Sequence, residues 1–108
     1  MASVNWNGST FRARLQNPNV VYGYPATGYP VWMDNVAVLA DAENVENAKL
    51  FQNFIMAPEN AALISSFARY ANAIKGSEQY MPEDMKTAPE IVVPAEYADK
   101  GVFSKECP

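Results

Sequence analysis

Apolar positions along the chain fall into distinct patterns, and each predicts a different element. From Gly28 to Ala40 the run Gly-Tyr-Pro-Val-Trp-Met-Asp-Asn-Val-Ala-Val-Leu-Ala is rich in β-branched residues and predicts a strand with Trp32 and Asp34 at its centre. Pro30 is tolerable at its beginning, where no ladder hydrogen bond need be donated. Val20-Val-Tyr-Gly-Tyr24 predicts a second strand ended by Pro25, and Val4-Asn-Trp-Asn-Gly8 predicts a strand end running into a turn at Asn7-Gly8. Ser9 is placed to cap a short helix through Gln16. Asn17-Pro18 stops it, because the residue before a proline is pushed out of the helical region.

The middle of the chain changes to three-and-four spacing. Ala48, Phe51, Phe54 and Ile55 recur on one side of a helix that Asn44 can cap, which predicts a buried face. Pro58 opens a second helix, with Glu59 near its positive end and Ala61, Ile64, Phe67, Ala68 and Ala71 as its apolar side. That helix is expected to run on towards Gly76, and the pair to form a hairpin laid against the strands. Beyond Gly76 the prolines at 82, 89, 94 and 108 permit only short helical pieces, one near Pro82 and another near Pro94.

The predicted fold class is therefore α/β, a single domain over residues 1–108 with a few N-terminal strands, a central helical pair and an irregular C-terminal segment. Strand partners within one chain are too few for a full sheet. A neighbouring subunit is expected to complete it, so a homo-oligomer is expected.

Composition narrows the function classes. The chain has 108 residues, nearly half of them apolar, which suits one small globular domain. Its formal charge of −4, with Lys and Arg scattered, argues against a nucleic-acid partner and favours a cationic one. The one cysteine, Cys107, closes no internal disulfide. No apolar run approaches the roughly 18 to 20 residues that cross a bilayer. The first residues lack the basic start and apolar run of a secretory signal, so a chain expressed alone is expected to stay in the cytoplasm.

Catalytic chemistry finds little support. The chain has no histidine, so no Ser-His or Cys-His nucleophile and no histidine metal site can be assembled within it. Tyr22 to Gly28 lacks the Gly-Lys-Ser/Thr ending of a phosphate loop, and Glu83-Asp84 are sequence neighbours on a predicted surface turn. No enzyme and no cofactor are expected.

Two candidate features have paired readings. Residues two apart on a strand share a face, so Trp32 and Asp34 together suit an organic cation, the ring attracting the charge and the carboxylate neutralising it. The alternative is a core tryptophan beside an aspartate turned to water. Trp6 either packs beneath the first helix or sits at a strand-to-helix mouth where ligands are held. Tyr22, Tyr24 and Tyr29 fit an aromatic cage less well than ordinary sheet packing.

The order of segments adds more. Trp6-Asn-Gly, Asn17-Pro-Asn, Tyr24-Pro-x-x-Gly28, Trp32-Met-Asp34, Asn44-x-x-Asn-Ala-x-x-Phe51-x-Asn-Phe-Ile, Pro58-Glu-Asn-Ala and Arg69-Tyr-Ala-Asn72 occur in this order along the chain. Over residues 3 to 100 the chain closely resembles the C-terminal part of periplasmic polyamine-binding proteins, the spermidine and putrescine receptors of ABC transporters. The resemblance implies one partial lobe of a two-lobed fold, the first lobe absent, with a polyamine as ligand, an ABC permease as partner and a periplasmic location. It also implies that Trp6 packs on the ligand's methylenes, that Trp32 and Asp34 form a wall and an ammonium anchor, and that Tyr70 faces the cleft. Putrescine-type members carry an acid a few positions before that tyrosine, where this chain has Ser66. The alternative function is a structural, oligomerising module that has lost ligand binding.

Overall fold

The computed structural model describes residues 1–103, so Cys107 and Pro108 lie outside the described residues. Among the described residues the order of elements is α1 (Asn7–Gln16), β1 (Tyr29–Val31), α2 (Val45–Ile55), α3 (Pro58–Ala68), α4 (Glu83–Thr87) and β2 (Gly101–Phe103). Single 3-10 turns lie at Ser77–Tyr80 and Ala95–Tyr97. Helices combined with a parallel sheet agree with the α/β expectation at that coarse level.

Helix α1 begins earlier than expected. Trp6, not Ser9, holds the cap position with extended backbone (φ −66°, ψ 139°). Its carbonyl accepts from the Thr10 amide at 2.9 Å and the Thr10 hydroxyl at 3.1 Å. The Asn7-Gly8 pair is thus the first turn of a helix, not a strand-ending turn. A close neighbour explains the glycine, since a Cβ on Gly8 would lie 2.5 Å from the Tyr70 ring. The helix stops at Asn17, as Pro18 requires.

Asn44 and Pro58 stand where expected at the starts of α2 and α3, although the Asn44 side chain makes no capping bond. Helix α3 ends at Ala68, well short of Gly76, because Arg69 turns into the left-handed region (φ 63°). Its amide donates to the Ser65 carbonyl at 2.7 Å, and its guanidinium pairs with Asp84 at 2.9 Å. Those contacts offset a backbone conformation that a branched-free side chain still finds unfavourable. Short helical pieces follow Pro82 and Pro94 as expected.

The strands depart furthest from expectation. Only Tyr29–Val31 forms β1, residues 20–25 are not a strand, and residues 32–39 have no regular structure. Strand β1 pairs in parallel with β2 in the register Tyr29 with Gly101, Pro30 with Val102 and Val31 with Phe103. A sequence with strand propensity becomes strand only where another backbone supplies ladder partners, and β2 supplies three residues. That partner comes from the segment expected to be irregular.

Burial centres on α1 and the C-terminal third. Phe11, Met85 and Ala88 form the core, with Met81 and Ile91 packed on it. Two guanidiniums lie over the Phe11 ring, Arg14 at 4.9 Å and Arg69 at 5.2 Å from its centroid. Arg14 also makes a bidentate pair with Glu90, its Nε and Nη2 donating at 2.8 and 2.9 Å. That bonding raises the Arg14 pKa above the ordinary guanidinium value, while burial opposes it. Glu90 is only 2% exposed.

Of the expected buried faces of α2 and α3, only Ala61 is buried. No residue of α2 is buried, and Phe51, Phe54, Ile64 and Phe67 are all exposed. Helix α3 buries Ala61 together with Ala62 and Ser65 and packs chiefly on the Ser77–Tyr80 turn, not on the strands. Asn72 fastens that contact: its amide donates to Ser65 Oγ at 2.8 Å and its Oδ1 accepts from Ser77 Oγ at 2.8 Å. Helical spacing identifies residues that share a side. It does not identify what covers them.

Candidate functional site

Three of the residues singled out in the sequence, Trp6, Trp32 and Tyr70, lie around the start of α1. Trp6 is held there by its backbone, which leaves its indole free to project, and 59% of the residue is exposed. Trp32 follows directly after β1 and is 43% exposed. Their ring centroids are 4.5 Å apart at 73°, an edge-to-face pair, so two residues distant in sequence form one aromatic surface.

Tyr70 reaches the same end of α1 from α3. The left-handed Arg69 redirects the chain, and the half-buried Tyr70 ring packs on Gly8 in the first turn. The Arg12 guanidinium lies 5.8 Å from the Tyr70 centroid and donates to the Ala68 carbonyl and, at 3.1 Å, to Ser9 Oγ. An arginine is thus already stacked near this tyrosine.

Asp34 is exposed and lies on the irregular stretch after β1. The expectation that strand pleating puts it on the face of Trp32 is therefore corrected: β1 ends at Val31, before either residue. Ser66, at the position where an acid was noted in the resemblance, turns its hydroxyl back to the Ala62 carbonyl at 2.8 Å. Asp84 and Glu83 do not converge on a site, since Asp84 pairs with Arg69 and Glu83 with Lys86.

The tyrosines form a packed cluster and not a sheet face. Tyr24 lies at its centre, 5.2 Å from Tyr22, 4.9 Å from Tyr29 and 5.2 Å from Tyr97, the last stacked at 25°. The Tyr24 hydroxyl donates to the Pro89 carbonyl at 2.7 Å, and the Tyr29 hydroxyl to the Tyr97 carbonyl at 3.2 Å. Burial pushes the Tyr24 phenol up to about 12 and raises Tyr22 as well. Tyr97 was missed in the sequence, and the only local signal for its position was the turn that Pro94 begins. Lys100 lies 5.0 Å above the Tyr97 ring, so a cation of the chain covers this aromatic face.

A mostly apolar groove of about 580 Å³ lies elsewhere, lined by residues including Asn72, Met81, Met85 and Ile91. It does not include Trp6, Trp32, Asp34 or Tyr70. Among the described residues no three acidic, His or Cys side chains are placed to hold a metal, and no helix is long and apolar enough to cross a membrane.

Residues 1–93 match the family described as bacterial extracellular solute-binding protein. Among similar curated proteins, the putrescine-binding periplasmic protein PotF of Escherichia coli is 29% identical over 104 residues, covering 91% of this chain and 28% of that protein. The spermidine/putrescine-binding periplasmic protein of Salmonella typhimurium is 26% identical over 101 residues, 94% of this chain and 29% of that protein. The putrescine-binding periplasmic protein SpuD of Pseudomonas aeruginosa is 28% identical over 108 residues, 94% of this chain and 29% of that protein. The chain thus spans less than a third of the length of these relatives. No solved structure matches it.

Proposed function

The chain belongs to the bacterial extracellular solute-binding proteins, a family of non-enzymatic transport receptors, and on that premise we propose that it binds a linear polyamine or another small organic cation. Trp6 and Trp32 cover the methylenes of the ligand, Asp34 anchors an ammonium, and Tyr70 faces the same cleft. Residues 1–108 form a partial lobe of a two-lobed receptor that works in the periplasm and hands its ligand to an ABC permease. The relatives' names, which give putrescine and spermidine as ligands and the periplasm as location, support this reading.

The observation that carries it is the exposed edge-to-face pair of Trp6 and Trp32. A core tryptophan is buried, whereas these two present aromatic surface to solvent. Each cation–aromatic contact contributes about 0.5–2 kcal/mol, and an exposed carboxylate at ~4 Å adds about 1 kcal/mol in water. Together they support affinity on the order of millimolar, about 4 kcal/mol.

Isothermal titration of spermidine and putrescine tests the proposal, beside Trp32→Ala and Asp34→Ala. Saturable heat that disappears in both variants is the expected result. Absence of heat at millimolar ligand from the folded chain overturns the reading for this chain.

A further inference from the structure

Tyr70 is the one candidate ligand contact brought to the site by the end of α3, and the turn that carries it is held on both sides. On one side, Arg69 ends the helix in the left-handed region (φ 63°). Helices commonly end in this conformation, but on a glycine, which has no Cβ to strain it. Among the described residues Arg69 is the one non-glycine that adopts it. On the other side, the Asn72 side-chain amide donates to Ser65 Oγ at 2.8 Å, and its Oδ1 accepts from the Ile74 amide at 2.9 Å and the Ser77 hydroxyl at 2.8 Å. Tyr70 and Ala71 span the two fixed points.

The Arg69 side chain ties this turn to the core. Its guanidinium pairs with Asp84 at 2.9 Å and lies 5.2 Å from the Phe11 centroid. Asp84 adjoins Met85, which is 0% exposed, so the carboxylate stands on a fixed support. Without such contacts, a residue that carries a Cβ favours right-handed or extended backbone. Either would swing the next residue off Gly8, against which the Tyr70 ring lies so closely that a Cβ there would be 2.5 Å away. Gly8 in turn is two residues along the chain from Trp6.

We infer that Arg69 is a positioning residue for the ligand surface: its left-handed backbone, held by Asp84 and Phe11, sets the Tyr70 ring on the first turn of α1. This role rests on the reading of Trp6, Trp32, Asp34 and Tyr70 as a cation site, and adds the residues that aim one wall of it.

Nuclear magnetic resonance of the isotope-labelled chain tests it with two readouts. One is the Gly8 Hα signals, displaced by the ring current of Tyr70, and the other is the indole N–H signals of Trp6 and Trp32 as spermidine is added. Tyr70→Leu calibrates both. Arg69→Ala is expected to move the Gly8 signals towards their Tyr70→Leu positions and to weaken spermidine binding roughly 2- to 5-fold, the worth of one exposed cation–aromatic contact. Arg69→Gly loses the same side-chain contacts yet enters the left-handed region freely, so it keeps both readouts close to the unaltered chain. Equal losses in the glycine and alanine variants mean that Arg69 acts only through the fold, and overturn the proposal. If Arg69→Ala unfolds, Asp84→Asn decides: a smaller change in the same direction is expected, and unmoved Gly8 signals overturn the proposal. Indole signals of the unaltered chain that ignore spermidine overturn the cation-site reading and this role with it. Spermidine binding that is indifferent to a folded Arg69→Ala overturns this role alone.

Discussion

Replacing Arg14 with methionine strands a carboxylate that has no access to water. The Glu90 side chain is 0% exposed, and both its oxygens accept from Arg14, at 2.8 and 2.9 Å. Removing one partner of a buried pair costs about 3–5 kcal/mol, against about 0.2–1 kcal/mol for an exposed pair. Arg14 itself is 32% exposed, so water can enter in its place and the cost falls at the low end, about 3 kcal/mol. Methionine keeps an unbranched stem to cover Phe11, which confines the loss mainly to the charge. Glu90→Gln is milder, about 1–1.5 kcal/mol, because the arginine left behind is partly solvated. Urea unfolding followed by tryptophan fluorescence measures both. With a slope of about 1–2 kcal/mol per molar for a chain of this size, Arg14→Met shifts the midpoint down by roughly 2 M. Losses for both variants that are equal and below about 0.5 kcal/mol would show the pair behaving as a surface contact, and would refute the reasoning.

Two further outcomes follow from the packing around α1 and the tyrosine cluster. Tyr24 keeps its proton in the folded chain to about 12 against 10.0 ordinarily, so its contribution is fully present below pH 10.0 and is lost as pH rises to about 12. Unfolding midpoints measured across that window are expected to fall more steeply for the unaltered chain than for Tyr24→Phe, and equal slopes would remove Tyr24 as the cause. Gly8→Ala places a methyl 2.5 Å from the Tyr70 ring, and the overpacking, about 1–3 kcal/mol, outweighs a helix-propensity gain of up to ~1 kcal/mol. A higher unfolding midpoint for Gly8→Ala would contradict that contact.

What was legible in the sequence was mostly local. Pro18, Pro58, Pro82 and Pro94 marked helix boundaries correctly, because a proline ring constrains its immediate neighbours wherever the chain goes. The strand at Val20–Tyr24 failed for the opposite reason: among the described residues the ladder joins β1 and β2 alone, and the tyrosines of this segment pack as a cluster instead. Gly101-Val-Phe is too short to show alternation, so β2 gave no signal. Phe51 and Phe67 were expected inside because spacing reports a shared side and is silent about cover. Of the candidate site, Trp6 and Trp32 were singled out with paired readings and then favoured by the order of motifs, and their contact joins segments that no periodicity relates. The pleat argument for Asp34 lapsed once β1 ended at Val31.

The pairing of β1 with β2 has a kinetic meaning. Residue 29 finds its ladder partner at residue 101, and Asn7, Arg14 and Tyr24 likewise reach Pro89 or Glu90. Closing so long a loop costs entropy before any contact rewards it, and such non-local topologies fold slowly. During synthesis α1 must therefore emerge and wait, with Phe11 uncovered, until residues 85–90 leave the ribosome, while α2 and α3 form as an excursion between the two halves of the seam. Until that seam closes, the apolar surface that Phe11 later buries against Met85 and Ala88 is open to association with other chains.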